Sequence, residues 1–203
     1  MQELYYTDVR ALEPFFEQGL ALLDPERREK TLRLRKGVDR LSSLAAGLLL
    51  RRYLGLSEPL VRAPSGKPEN PGGLPFSLSH GGNLAVLAVS SRAVGVDSEP
   101  LGRRIDPAFY PRVLTPEEIE WLRSTRDARF AVLWTRKESV MKACGLGLTL
   151  PPAAFSVLGD TTAPENEIYT LGTTIIDGHA VSTAAVDPEP FRPRTVSVQA
   201  LLG

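Results

Sequence analysis

The sequence predicts an α+β protein made of two similar subdomains, residues 1–100 and 101–203, in pseudo-twofold arrangement about a cleft that would hold the active site. Three observations predict it. Each half carries a long helical stretch followed by segments whose apolar residues alternate as in antiparallel strands. The order of elements is similar on both sides of residue 100, although no sequence repeat is legible. The chain of 203 residues is long enough for one large domain or two small ones.

ELYYTDV (3–9) reads as a short strand, followed by a helix over 12–23. Asp24-Pro25 is a helix start, with the acid capping and proline at the first helical position. That helix should run to Gly55, interrupted at Gly37. Residues 60–63 form a candidate strand before the turn-rich APSGKPENPGG. LPFSLS (74–79) and NLAVLAVS (83–90) flank a tight connection at His80-Gly81-Gly82, and AVGVDSE (93–99) reads as the next strand. In the second half, Thr115-Pro116-Glu117-Glu118 has the cap, proline and first-turn acids of a helix start. A helix over 127–145 should end at Gly145 and Gly147. AFSVL, EIYTLGTTII, GHAVSTAAV and TVSVQALL read as strands.

Lys and Arg number 24, as do Asp and Glu, so no global field draws the chain to nucleic acid or membrane, and any charged partner must meet a local patch. Cys144 is the only cysteine, which rules out an internal disulfide and suits a reducing compartment. No stretch approaches the roughly 20 apolar residues of a membrane span. A cytoplasmic monomer is expected.

Strand alternation over 93–99 puts Val94, Val96 and Ser98 on one face and Gly95, Asp97 and Glu99 on the other. Two neighbouring carboxylates fit either a solvated strand end or a hard divalent cation such as Mg²⁺. Glu138 could supply a third carboxylate and Lys142 a cation one helical turn on, or the two could be a surface ion pair worth about 0.3–0.5 kcal/mol. SLSHGGN brings Ser79, His80 and glycine amides to a turn suited to an anion. Lys67 lies in a loop. The basic run containing Arg27 and Lys30 is interleaved with acids, so it reads first as a solvated helix face and second as a phosphate contact.

WTRKESVMKACGLGL (134–148) poses a separate problem. On a helical wheel Phe130, Leu133, Trp134, Val140, Met141 and Cys144 share an apolar arc with Lys137 at its centre. A buried lone charge costs several kcal/mol, so its ammonium is expected to reach the cleft and meet a carboxylate, carbonyls or a ligand phosphate.

In this order, GKP (66–68), FSLSH (76–80), GVDSE (95–99) and WTRKESVMKACGLGL resemble the large, two-subdomain class of 4′-phosphopantetheinyl transferases. The resemblance implies Mg²⁺-dependent transfer of phosphopantetheine from coenzyme A to a serine of an apo acyl or peptidyl carrier protein, releasing 3′,5′-ADP. It also implies Asp97, Glu99 and Glu138 as metal ligands and Lys142 at the diphosphate. The chemistry then makes Glu138 the candidate base, directly or through a metal-bound water. His80, Lys67, Ser79 and, less closely, Arg27, Lys30 and Ser43 would contact coenzyme A. Trp134 would be structural. This chain departs from the pattern at Gly81, often serine, at Ser98, usually aliphatic, and at Leu146, where lysine is frequent. Two rivals remain at this level: a non-catalytic coenzyme A binder, and a nucleic-acid binder using the basic helix, which zero net charge disfavours.

Overall fold

A computed structural model describes residues 2–57, 59–125 and 129–203. The first strand, β1 (Gln2–Asp8), runs into a 3₁₀ turn over Val9–Phe15, opened by Asp8, whose carboxylate accepts the Arg10 N–H at 2.9 Å. Only Phe16–Ala21 (α1) is α-helical, so the helix expected over 12–23 is shorter, with Pro14 inside the 3₁₀ segment. Pro lacks the N–H an α-helix interior needs. The start at Asp24 is as expected: its side chain accepts the Arg27 N–H at 2.8 Å and Pro25 takes the first helical position. The chain breaks near Gly37, giving α2 (Pro25–Arg33) and α3 (Gly37–Leu54), and Gly55 closes α3 in the left-handed conformation (φ 64°).

A short hairpin follows, β2 (Val61–Arg62) with β3 (Pro68–Glu69), then β4 (Phe76–Gly81), β5 (Leu84–Ser90) and β6 (Val94–Pro100). Beyond lie α4 (Tyr110–Val113), α5 (Pro116–Ser124), α6 (Phe130–Cys144), β7 (Thr161–Thr162), β8 (Tyr169–Ile176), β9 (His179–Ala185), β10 (Arg192–Thr195) and α7 (Val198–Leu202). The expected first two residues of the α6 helix, 127 and 128, lie outside the described residues.

Two four-stranded sheets result, ordered β10-β1-β5-β4 and β6-β9-β8-β7. Every residue of β5 and of β9 is buried. For β5 this is the apolar run that a central strand covered on both faces needs, whereas β9 also buries His179, Ser182 and Thr183. Leu87 and Val89 face the α3 layer, whereas Leu84 and Val86 meet Val94, Val96 and Val181 of the second sheet. Leu171 and Ala184 face α6 with Leu133, Val140 and Met141. The architecture is therefore helix, sheet, sheet, helix, an α+β fold as the sequence predicts.

Two segments depart from expectation. TVSVQALL is a strand only to Thr195, where β10 pairs in parallel with β1. Ser197 then accepts the Ala200 N–H at 3.2 Å and opens α7, a cap that the apolar alternation masked. AFSVL forms no strand, because its backbone groups serve side chains. Val157 N–H goes to Glu118 at 2.8 Å, Val157 O accepts Arg136 at 2.7 Å, and Phe155 O accepts Lys137.

Lys137 is a correction of the same kind. It does meet a carboxylate and carbonyls, but inside the second core rather than at the cleft. Its ammonium lies 2.8 Å from Glu118 Oε2 and 2.8 Å from Pro152 O, over the Phe155 ring, with neither side chain of the ion pair exposed. Burial pulls the lysine below its ordinary value, and Glu118 opposes that. No described helix is long and apolar enough to cross a membrane.

Candidate active site

The site is built where the edges of the two sheets meet. Strands β4 and β6 are not laddered; side-chain hydroxyls bridge them. Ser77 Oγ accepts the Val96 N–H at 3.0 Å, and two residues on Ser79 Oγ donates to Asp97 Oδ1 at 2.8 Å. At Gly81 an added Cβ would stand 2.2 Å from Ser98 O, so this edge contact requires glycine.

On the other side α6 lies directly on β6. A Cβ at Gly95 would fall 1.8 Å from Ser139 O, and this lack of a side chain lets the helix close onto the strand. Glu138 and Lys142, one turn apart on α6, thereby come over the β6 face that carries Asp97 and Glu99. Lys142 Nζ donates to Asp97 Oδ1 at 2.7 Å, Ser79 Oγ at 3.1 Å and Val96 O at 3.1 Å. Strand alternation thus holds as expected, with Val94 and Val96 in the core between the sheets and Asp97 turned to the helix.

Asp97, Glu99, Glu138, Lys142, Ser79 and His80 line one recess together with Trp134 and Arg103. Burial raises the carboxyl of Glu138 above its ordinary value, and the Asp97 and Glu99 charges raise it further while Lys142 and Arg103 oppose. Burial likewise raises Glu99, with Arg103 pulling it down and Asp97 pushing it up. Each acid is therefore sensitive to the charge of the next. Asp97 Oδ2 is buried without a hydrogen-bond partner, an orphan acceptor on a residue that lines this recess. A hard divalent cation fits that donor set. Among the described residues the acids are not closed into a preformed cluster of three metal ligands; Lys142 and Arg103 neutralise two of them instead.

His80, Leu78 and Lys142 also belong to a larger adjoining cavity of about 590 Å³. Arg27, Lys30, Ser43 and Lys67 line it, so all ten residues singled out in the sequence reach one continuous cleft. Arg62 adds a further cation, Asp39 is the one acid in the lining, and Leu50, Phe76 and Met141 give an apolar wall. Partial burial and the charges of Lys142 and Arg27 hold His80 below the usual histidine range, so it is neutral near pH 7.

Several of these groups have structural partners as well. Lys67 Nζ donates to Val94 O at 3.2 Å and Ala143 O at 3.1 Å, tying the GKP turn to β6 and α6, and its burial lowers its pKa. Arg27 donates to Ser43 O at 3.2 Å, and Ser43 Oγ lies 2.7 Å from Thr31 Oγ1. Trp134 packs over Phe130, ring centroids 6.0 Å apart, at the edge of the recess. Sequence reading missed Ser77, Arg62 and Arg103. Ser77 had a signal, the period-two spacing to Ser79; Arg62 lay in the candidate strand 60–63 and Arg103 in a loop, neither with a motif to mark it.

Comparison with known proteins agrees with this geometry. The model of the 4′-phosphopantetheinyl transferase superfamily matches residues 93–184, the span holding β6 and α6. The chain is 30% identical over 154 residues to 4′-phosphopantetheinyl transferase Sfp of Bacillus subtilis (strain 168), covering 70% of this chain and 68% of that protein. It is 32% identical over 155 residues to 4′-phosphopantetheinyl transferase gsp of Aneurinibacillus migulanus, covering 71% and 64%. To 4′-phosphopantetheinyl transferase AcpT of Salmonella typhi it is 31% identical over 173 residues, covering 80% and 85%. The chain belongs to the 4′-phosphopantetheinyl transferase superfamily, and its enzyme class is 4′-phosphopantetheinyl transfer.

Proposed function

We propose that this enzyme transfers phosphopantetheine from coenzyme A to a serine of an apo acyl or peptidyl carrier protein, releasing 3′,5′-ADP, in a Mg²⁺-dependent reaction. The observation that carries the reading is the junction of an acidic recess with a large basic cavity, joined through His80 and Lys142. A diphosphate at that junction has a metal site on one side and cationic walls on the other.

The residues take the following roles. Asp97, Glu99 and Glu138 would hold Mg²⁺, which when bound supplies Lewis-acid neutralisation of charge on the diphosphate and on the departing 3′,5′-ADP. Lys142 adds a positive charge at the same place. His80, neutral, can donate a hydrogen bond to a phosphate oxygen without adding charge. Arg27, Lys30 and Arg62 attract the nucleotide phosphates, while Lys67 and Ser79 fix the walls and offer contacts. The serine Oγ attacks the phosphorus that bears pantetheine, the bridging P–O bond breaks, and 3′,5′-ADP departs with the electron pair. Glu138 is also the proposed acceptor of the serine proton, since it lines the recess beside Lys142, where the diphosphate is placed. Catalysis is then positioning and charge neutralisation, as phosphoryl transfer requires.

We further propose that the two subdomains divide near residue 100, with β6 and the segment 192–202 exchanged between them, as the sheet pairings support. A cytoplasmic monomer completes the reading. Chromatographic measurement of 3′,5′-ADP tests the activity. Release that needs coenzyme A, Mg²⁺ and apo carrier together is expected; absence of release with several carriers contradicts it.

A further inference from the structure

Two carboxylates of the recess already have cations on them. Lys142 Nζ sits 2.7 Å from Asp97 Oδ1, and the Arg103 guanidinium is paired with Glu99. Arg103 is placed there by a tight turn: its N–H donates to Pro100 O at 2.9 Å, while Leu101 N–H is anchored on Gly178 O at 2.9 Å. The Glu99 side chain is 18% exposed and that of Arg103 is 43% exposed, so the guanidinium can swing away without unfolding anything. A divalent cation seated on these acids competes with both positive groups, and an incoming diphosphate offers them new partners.

We propose that Arg103 and Lys142 are resident counter-ions that pass from carboxylate to phosphate when ligands bind, so that divalent cation and coenzyme A bind as a coupled pair. Arg103 sets the strength of that coupling through Glu99. The inference rests on the coenzyme A reading of the cleft. Its physical basis is linkage: a cation already on the carboxylate weakens metal binding, and a phosphate that removes the cation restores it by the same factor. A half-exposed ion pair is worth up to about 1 kcal/mol, which corresponds to a factor of about five.

The test is Mn²⁺ binding to the full chain, read by the electron paramagnetic resonance of the free ion, without and with saturating coenzyme A and with no carrier present. Coenzyme A should tighten Mn²⁺ about tenfold or more in the natural protein. In Arg103→Gln, Mn²⁺ alone should bind about three- to fivefold tighter, and the coupling should shrink by the same factor. In a Glu99→Gln background, Arg103→Gln should change neither quantity. If Mn²⁺ alone binds too weakly to read, reciprocity gives the same factor from coenzyme A affinity measured without and with the metal. Equal Mn²⁺ affinity in Arg103→Gln and the natural protein would overturn the inference, as would independent binding of metal and coenzyme A. If coenzyme A binds and is turned over without coupling, this inference alone fails. If coenzyme A does not bind at all, the functional reading fails with it.

Discussion

Lys137 Nζ lies 2.8 Å from Glu118 Oε2, with both side chains fully buried inside the second core. Glu118 does three things at once: it completes the capping box of α5 through the Thr115 N–H, accepts the Val157 N–H, and neutralises Lys137. The lysine in turn holds the carbonyls of Pro152 and Phe155. This network joins α5, α6 and the 152–157 segment, one layer behind the helix face that carries the catalytic candidates.

Removing one partner leaves a buried charge without compensation. Lys137→Met should lower unfolding stability by about 3–5 kcal/mol, read by denaturant titration. The double variant Lys137→Met/Glu118→Gln should be less destabilised than the sum of the two singles. Additive losses would show that the pair is not coupled.

Gly95 is the contact on which the alignment of α6 with β6 depends. Gly95→Ala forces the helix and strand apart, because the new Cβ would meet Ser139 O at 1.8 Å. Overpacking of this kind typically costs about 1–3 kcal/mol. Transfer should fall at least tenfold in protein that is still folded at the assay temperature, because Glu138 and Lys142 move relative to Asp97. Full activity in a folded Gly95→Ala variant would refute this dependence.

Asp97→Ala and Glu138→Ala should each reduce transfer about a thousandfold or more, the scale expected when a charge-stabilising group is lost from a phosphoryl-transfer site. Both should keep a natural circular-dichroism spectrum. Turnover within tenfold of the natural enzyme in either variant would remove that residue from the mechanism.

Tyr169 gives a pH test independent of catalysis. It is buried against the α6 core, and burial pushes its phenol up to about 12, with smaller contributions from Cys144 and Glu167. The folded state thus binds the phenolic proton more tightly than the unfolded state, whose value is 10.0. The stability this contributes is complete below pH 10 and declines as pH rises from 10 toward 12. Unfolding free energy of the natural protein should fall across that window, and Tyr169→Phe should flatten the decline. A decline of equal slope in the variant would assign it to other groups.

Much of this was legible in the sequence where local rules agree with tertiary packing. Asp24-Pro25, Gly55 and the Thr115–Glu118 box are cap chemistry and appear as read. Alternation in GVDSE predicted which face carries Asp97, since a strand covered by a helix must keep that face. Lys137 was misplaced for an equally physical reason. A helical wheel gives the angle of a side chain but not what lies across from it, and its partners come from 15 to 19 residues away in sequence, from α5 on one side and the 152–155 segment on the other. Likewise AFSVL has strand composition, and only the side chains of Glu118, Arg136 and Lys137 reveal why it makes no ladder. Ser77 was overlooked because an edge joined by hydroxyl bridges has no periodic signature beyond that of a strand.

The most direct test of the central claim is the intact mass of an apo carrier protein after incubation with this enzyme, coenzyme A and Mg²⁺. A gain of one phosphopantetheine is predicted, and it should be absent when the carrier serine is replaced by alanine or when the enzyme carries Asp97→Ala. Unchanged carrier mass across fatty-acid, polyketide and peptide carriers, with enzyme that is folded and binds coenzyme A, would contradict the account.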